Sequence, residues 1–143
     1  MGIFFNWLDK KALQAFNVEM ENNVNLPIEG RIIVAEMIEQ RYERTLEIMK
    51  LKSKKEIENH LHIEGKEAGE RLLRLQKENN GSEFHICKIA EARLSEVLYH
   101  CLQCEKHENV LYASNQIMEY ILTLKVQRFA YEEEILEILR GDI

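Results

Sequence analysis

The run from residue 28 to residue 78 reads IEGRIIVAEMIEQRYERTLEIMKLKSKKEIENHLHIEGKEAGERLLRLQKE, and it decides the fold class. It contains no proline and no aspartate, and it is rich in Glu, Leu, Ile, Lys, Arg and Ala. These residues lose little conformational freedom on entering a helix. The same character continues to residue 140, because Pro27 is the only proline of the chain and Asp9 and Asp142 are its only aspartates. The sequence therefore predicts an all-α protein.

Apolar periodicity divides the chain into the helices of a mostly antiparallel four- to five-helix bundle. Ser53 and Glu56 match a capping box, and Ser82 is a second N-cap candidate. The alternative to a break at Ser53 is one long bent helix over residues 28–78. Spacings of three and four predict helices over about 3–21, 28–51, 54–78, 83–105 and 110–139, with connections near 22–27, 50–54, 79–82 and 105–109.

Two helices of this series have unusual compositions. The third contains Gly65 and Gly69 one turn apart, which predicts either a close approach of another helix or a kink. The fifth is apolar on more than one side. It is therefore expected to lie at the centre of the bundle, or to face the core on one side and a partner on the other.

The size and charge of the chain narrow the classes of function. Its 143 residues predict a single helical domain over residues 1–143. The net charge of −6 argues against a nucleic-acid partner, because proteins that hold nucleic acid by their overall field are basic. The acidic excess is densest at Glu132, Glu133, Glu134 and Glu137.

The location of the protein is also constrained by composition. No apolar run approaches the roughly 18–20 residues that a membrane-spanning helix needs. Three cysteines are an odd number and do not make a disulfide framework. We therefore expect a cytoplasmic protein. No Gly-rich phosphate loop is present, and we predict no cofactor and no small-molecule substrate.

The surplus of apolar residues on the first and fifth helices favours a protein-binding function. Met118 and Phe129 are the candidate anchors on the fifth helix, and Phe4 and Trp7 are those on the first. Because surplus apolar surface on a small chain indicates a partner, we predict a non-enzymatic interaction or regulatory module that is oligomeric. The N-terminal segment also carries Lys10 and Lys11, so peripheral contact with a membrane is the alternative there.

A cluster of metal-ligand residue types lies near the end of the fourth helix. His100, Cys104 and His107 share one face of an extended helix, and imidazole and thiolate are the ligands that zinc prefers. A metal-binding bundle is therefore one alternative function. The competing interpretation is that Cys101 and Cys104 continue the apolar stripe that begins at Cys87, where free cysteine behaves as a small core residue.

A second alternative function depends on Arg93 and His100, which are separated by six residues. The pair resembles the Arg and His of HEPN-type helical ribonucleases, which lie at a dimer seam. The resemblance implies a nuclease in which arginine positions a phosphate and histidine transfers a proton. It covers these two residues alone, and Leu94 stands where that family has a polar residue.

Overall fold

The structure is a computed structural model that describes residues 2–141, with side chains for residues 7–50 and 52–141. The described chain is helical throughout apart from short connections, which confirms the predicted all-α class and the helical bundle. No helix in this part of the chain has the length and apolar character needed to cross a bilayer. The five helices are α1 (Gly2–Val24), α2 (Ile28–Leu51), α3 (Lys54–Glu78), α4 (Glu83–Leu102) and α5 (His107–Arg140).

Local capping signals set the helix boundaries. The Ser53 hydroxyl accepts a hydrogen bond from the Glu56 N–H at 3.3 Å, so residues 28–78 form two helices and not one. Ser82 caps α4 in the same way, through the N–H of His85 at 3.1 Å. Asn79 and Gly81 both have positive φ angles, which bend the chain sharply between α3 and α4.

The turn between α4 and α5 is displaced from its predicted position. Helix α4 ends three residues before the predicted 105, and α5 begins three residues before the predicted 110. The cause is a long-range contact that local periodicity does not contain. The buried carboxylate of Asp9 on α1 accepts hydrogen bonds from the N–H groups of Glu105 at 3.3 Å and Lys106 at 3.2 Å, so it holds the turn that precedes α5.

Helix α4 is the central helix of the bundle and contacts all four others. It is buried on several sides, and α5 lies at the edge with one side in the core. Of the two positions predicted for the fifth helix, the structure therefore shows the edge position. The core members contributed by α4 include Cys87, Ala92, Leu94, Leu98, Tyr99, Cys101 and Leu102.

The two glycines of α3 permit a close approach to α4. A Cβ atom at Gly65 would lie 3.5 Å from the Tyr99 Cβ, and one at Gly69 would collide with the Glu96 carboxylate. Helix α3 continues without interruption through both positions. Gly65 therefore packs in van der Waals contact with α4, and the alternative of a kink stays a prediction.

A charged cluster is buried where α2, α3 and α4 meet. The Glu91 side chain is 2% exposed, and its carboxylate lies 2.6 Å from Arg41 Nε and 3.1 Å from Arg71 Nη2. The Ser95 hydroxyl donates a further hydrogen bond to it at 3.0 Å. Buried charges persist when they are paired and hydrogen-bonded, and this carboxylate has partners from three helices.

Candidate protein-interaction surface

Helix α5 is longer than the bundle that supports it. Its inner face contributes Ala113, Ile117, Ile121 and Leu124 to the core. Among the described residues after Leu124, none of this helix is buried. The Tyr131 hydroxyl donates a hydrogen bond to Glu29 at 3.3 Å, close to the first residue of α2. The turns of α5 after Tyr131 therefore project past the N-terminus of α2.

The outer face of α5 carries a row of exposed apolar side chains. At 3.6 residues per turn, spacings of seven, four, seven and seven residues keep these side chains on one face. Phe129 is the most exposed of them, with 67% of its side chain accessible. We call this row the α5 seam, and its members are Leu111, Met118, Leu122, Phe129 and Leu136.

Ion pairs hold the flank of the seam against α2. Lys125 Nζ lies 2.6 Å from the Glu39 carboxylate, and Arg128 Nη1 lies 2.6 Å from that of Glu36. Arg128 Nε also bonds Glu132 at 2.9 Å within α5. The hydrogen bond and charge of Glu39 raise the pKa of Lys125, so the ammonium form is favoured. The buried inner face sets the rotation of α5, and these ion pairs lie on the flank between that face and the exposed seam.

Of the four predicted anchor residues, two lie together. Met118 and Phe129 are both on the α5 seam, about 16 Å apart along the helix axis. Trp7 is exposed on α1, where Lys11 Nζ lies 5.6 Å from its ring centroid. The side chain of Phe4 lies outside the described residues.

The Trp7 end of α1 is far from Phe129. Asp9, two residues after Trp7, contacts the turn that precedes α5. Phe129 lies more than 20 residues after that turn, which corresponds to roughly 30 Å of helix. The predicted anchors therefore form two separate surfaces, and the larger one is on α5.

The predicted metal ligands lie in two clefts on either side of the α4–α5 turn. His100 lines a cleft of about 430 Å³ between α1 and α4. His107 lines another of about 480 Å³, beside α2 and α3. Cys104 borders both clefts. Within residues 2–141, no group of three or more His, Cys, Asp or Glu side chains is arranged to hold a metal ion.

The environment of Cys104 keeps its sulfur in the thiol form. A hydrogen bond with Cys101 and burial raise the pKa of Cys104 strongly, and the charge of Asp9 adds to the effect. Cys87 and Cys101 are buried in the core, whereas Cys104 is only partly buried and borders the two clefts. The metal-binding alternative stays a prediction.

Arg93 and His100, the residues of the nuclease alternative, are both exposed on α4. They are seven positions apart in the sequence, which is about 10 Å along the helix axis. His100 lines the cleft between α1 and α4, whose lining does not include Arg93. The nuclease pairing across a dimer stays a prediction.

The sequence predictions did not include the structural roles of two carboxylates, those of Asp9 and Glu91. In each case the sequence contained a feature that could have indicated the role. Asp9 is one of only two aspartates in the chain, and aspartate favours caps and turns over helix interiors, so its place inside a predicted helix was a signal. Glu91 lies four residues after Cys87 and three before Leu94, on the apolar stripe of α4. A lone charge on such a stripe indicates a buried pair, although the spacing does not identify the arginines that satisfy it.

No protein-family model, curated protein or solved structure matches this chain.

Proposed function

We propose that this chain is a non-enzymatic interaction module that binds protein through the α5 seam. The observation that carries the proposal is the exposure of five apolar side chains on one face of a helix whose inner face is packed as far as Leu124. Burying a Leu, Met or Phe side chain stabilises an assembly by roughly 1.5–3 kcal/mol. A contiguous row of such side chains is typical of a binding surface.

The bundle beneath the seam suits this function. The packed inner face holds the backbone of α5 in one orientation as far as Leu124, so this part of the helix loses little backbone freedom when a partner binds. Cys87, Cys101 and Cys104 are free thiols, which supports a reducing compartment such as the cytoplasm. A regulatory role would follow from whichever protein occupies the seam.

Photo-crosslinking in living cells tests the proposal. A photoreactive amino acid is placed at Met118 or Phe129, and a matched control is placed at Leu73 on α3, whose side chain is 61% exposed. We expect adducts of one defined mass from the two seam positions and none from Leu73. The crosslinked protein is identified by mass spectrometry. Its noncovalent complex with this chain should be lost when the chain carries Phe129→Glu. Equal labelling from all three positions, or none from the seam, would contradict the proposal.

A further inference from the structure

We propose that the occupant of the α5 seam is the seam of a second copy, paired antiparallel about a two-fold axis close to Phe129. This inference rests on the proposed function and adds the identity and orientation of the partner. It is carried by the order of apolar and charged residues along the exposed face, which is complementary to itself when it is reversed.

The apolar residues are placed symmetrically about Phe129. Leu122 precedes it by seven residues and Leu136 follows it by seven, and all three are exposed on the same face. When two such helices run antiparallel, Phe129 meets its own copy, and each Leu122 meets Leu136 of the other chain. The pairing covers the centre of the seam with apolar contacts and uses the turns that project beyond α2.

The charges on one flank of the seam have the same symmetry. Lys125 and Glu132 are seven residues apart, so they lie on the same flank, with Phe129 between them. Antiparallel pairing places Lys125 of each chain beside Glu132 of the other. Parallel pairing in register would instead oppose Lys125 to Lys125 and Glu132 to Glu132, which is repulsive.

Both charged groups keep capacity for such a contact. Lys125 and Glu132 are each about half exposed. Lys125 has three N–H donors, of which Glu39 accepts one at 2.6 Å, and the Glu132 carboxylate has acceptor sites beyond its bond to Arg128. A uniformly basic partner would meet Lys125 and Arg128 on this flank with like charge. The mixed pattern therefore favours a second copy.

Analytical ultracentrifugation of the full chain tests self-association. We expect the wild type to sediment as a dimer of the 17.0 kDa chain. Phe129→Glu should raise the dimer Kd by roughly a hundredfold or more, because it places two carboxylates at the centre of the interface. Leu73→Glu, at a similarly exposed position outside the seam, should remain dimeric with the same helical circular dichroism spectrum. A wild type that is monomeric at the highest attainable concentration would overturn the inference.

Engineered disulfides test the orientation. Antiparallel pairing predicts that an equimolar mixture of Leu122→Cys and Leu136→Cys forms a covalent dimer on mild oxidation, because the two positions face each other. Each variant alone should stay uncrosslinked, and the wild type reports any contribution of the native thiols. Crosslinking of each variant with itself would mean parallel pairing and would overturn the proposed orientation.

The two proposals fail in distinguishable ways. If the purified chain is monomeric while Phe129 crosslinks in cells to a different protein, the second copy is the wrong occupant and the proposed function stands. If the chain is monomeric and the seam also yields no adduct, both proposals are wrong. A cellular adduct of twice the chain mass supports both.

Discussion

Helices α4 and α5 carry apolar residues in nearly every turn, yet their surroundings differ. On α4, Leu94 and Leu98 are fully buried, because other helices cover that helix on several sides. On α5, Phe129 and Leu139 keep 67% and 77% of their side chains exposed. Apolar content therefore does not distinguish a central helix from an edge helix. The number of helices packed against each one distinguishes them. The helix with fewer packed neighbours, α5, is the one with apolar surface available to a partner.

The two helices also differ in how they hold charge. On α4, Glu91 is buried among Arg41, Arg71 and Ser95. On α5, Arg128 pairs with carboxylates at the surface, where both partners remain about half exposed. Charges of the first kind are needed for the fold, because removing one leaves another buried and unpaired. Those of the second kind contribute little to stability and are available to steer a partner.

The largest expected difference between the helices comes from truncating one leucine on each. Leu98→Ala should lower the free energy of unfolding by about 3–4 kcal/mol, because it opens a cavity in the core. Leu122→Ala should change it by less than about 0.5 kcal/mol, because its side chain is already more than half exposed. Urea denaturation followed by circular dichroism measures both values.

Self-association must be removed from this measurement. Both substitutions are therefore made in the Phe129→Glu background, where seam pairing contributes nothing to stability. Equal losses for Leu98→Ala and Leu122→Ala in that background would mean that the seam is part of the monomer's core. The distinction between a buried and an edge helix would then be wrong.

A somewhat smaller difference is expected from removing one carboxylate on each helix. Glu91→Ala should lower the free energy of unfolding by about 3 kcal/mol, because it leaves two arginines unpaired and Arg71 is largely buried. Glu132→Ala should cost less than about 1 kcal/mol, as is usual for exposed pairs. The same urea titration in the Phe129→Glu background measures both. A smaller loss of unfolding free energy for Glu91→Ala than for Glu132→Ala would contradict the structural role of Glu91.

Helix boundaries could be predicted from the sequence because their causes are local. Ser53, Ser82 and the turn at Asn79 act within three or four residues of the bonds they make. The turn between α4 and α5 was placed less well, because it is fixed by Asp9 from α1. The spacing of apolar residues is local, so it cannot predict a contact between residues nearly 100 positions apart in the sequence.

The candidate site divides in the same way. Helical spacing was enough to place Met118 and Phe129 on one face. It could not show that this face is the outer one, because that depends on where α1 and α2 pack. The grouping of His100 with His107 required an unbroken helix, and the end of α4 at Leu102 instead places them in different clefts.

The smallest expected contrast concerns alkaline pH and two tyrosines, Tyr99 on α4 and Tyr131 on α5. Burial raises the pKa of Tyr99 above its usual value of 10.0, although its hydrogen bond with Thr45 opposes the shift. The unfolded chain therefore loses this proton first as the pH rises past 10. Stability supplied by Tyr99 is complete below that pH and falls by at most about 1.4 kcal/mol per unit above it, until the pH passes the raised pKa of the folded state. Tyr99→Phe should flatten the decline by that amount.

Tyr131 supplies the matched control on α5. The charge of Glu29 is the main cause of its raised pKa, and Tyr131 is not buried in the core. Its contribution to the alkaline decline should therefore disappear in high salt, which screens exposed charges, while that of Tyr99 should persist because it arises from burial. Urea denaturation between pH 9 and 11 in low and high salt measures both. A salt-sensitive Tyr99 effect would mean that solvent reaches the centre of the bundle, which would contradict the contrast between a covered α4 and an open α5.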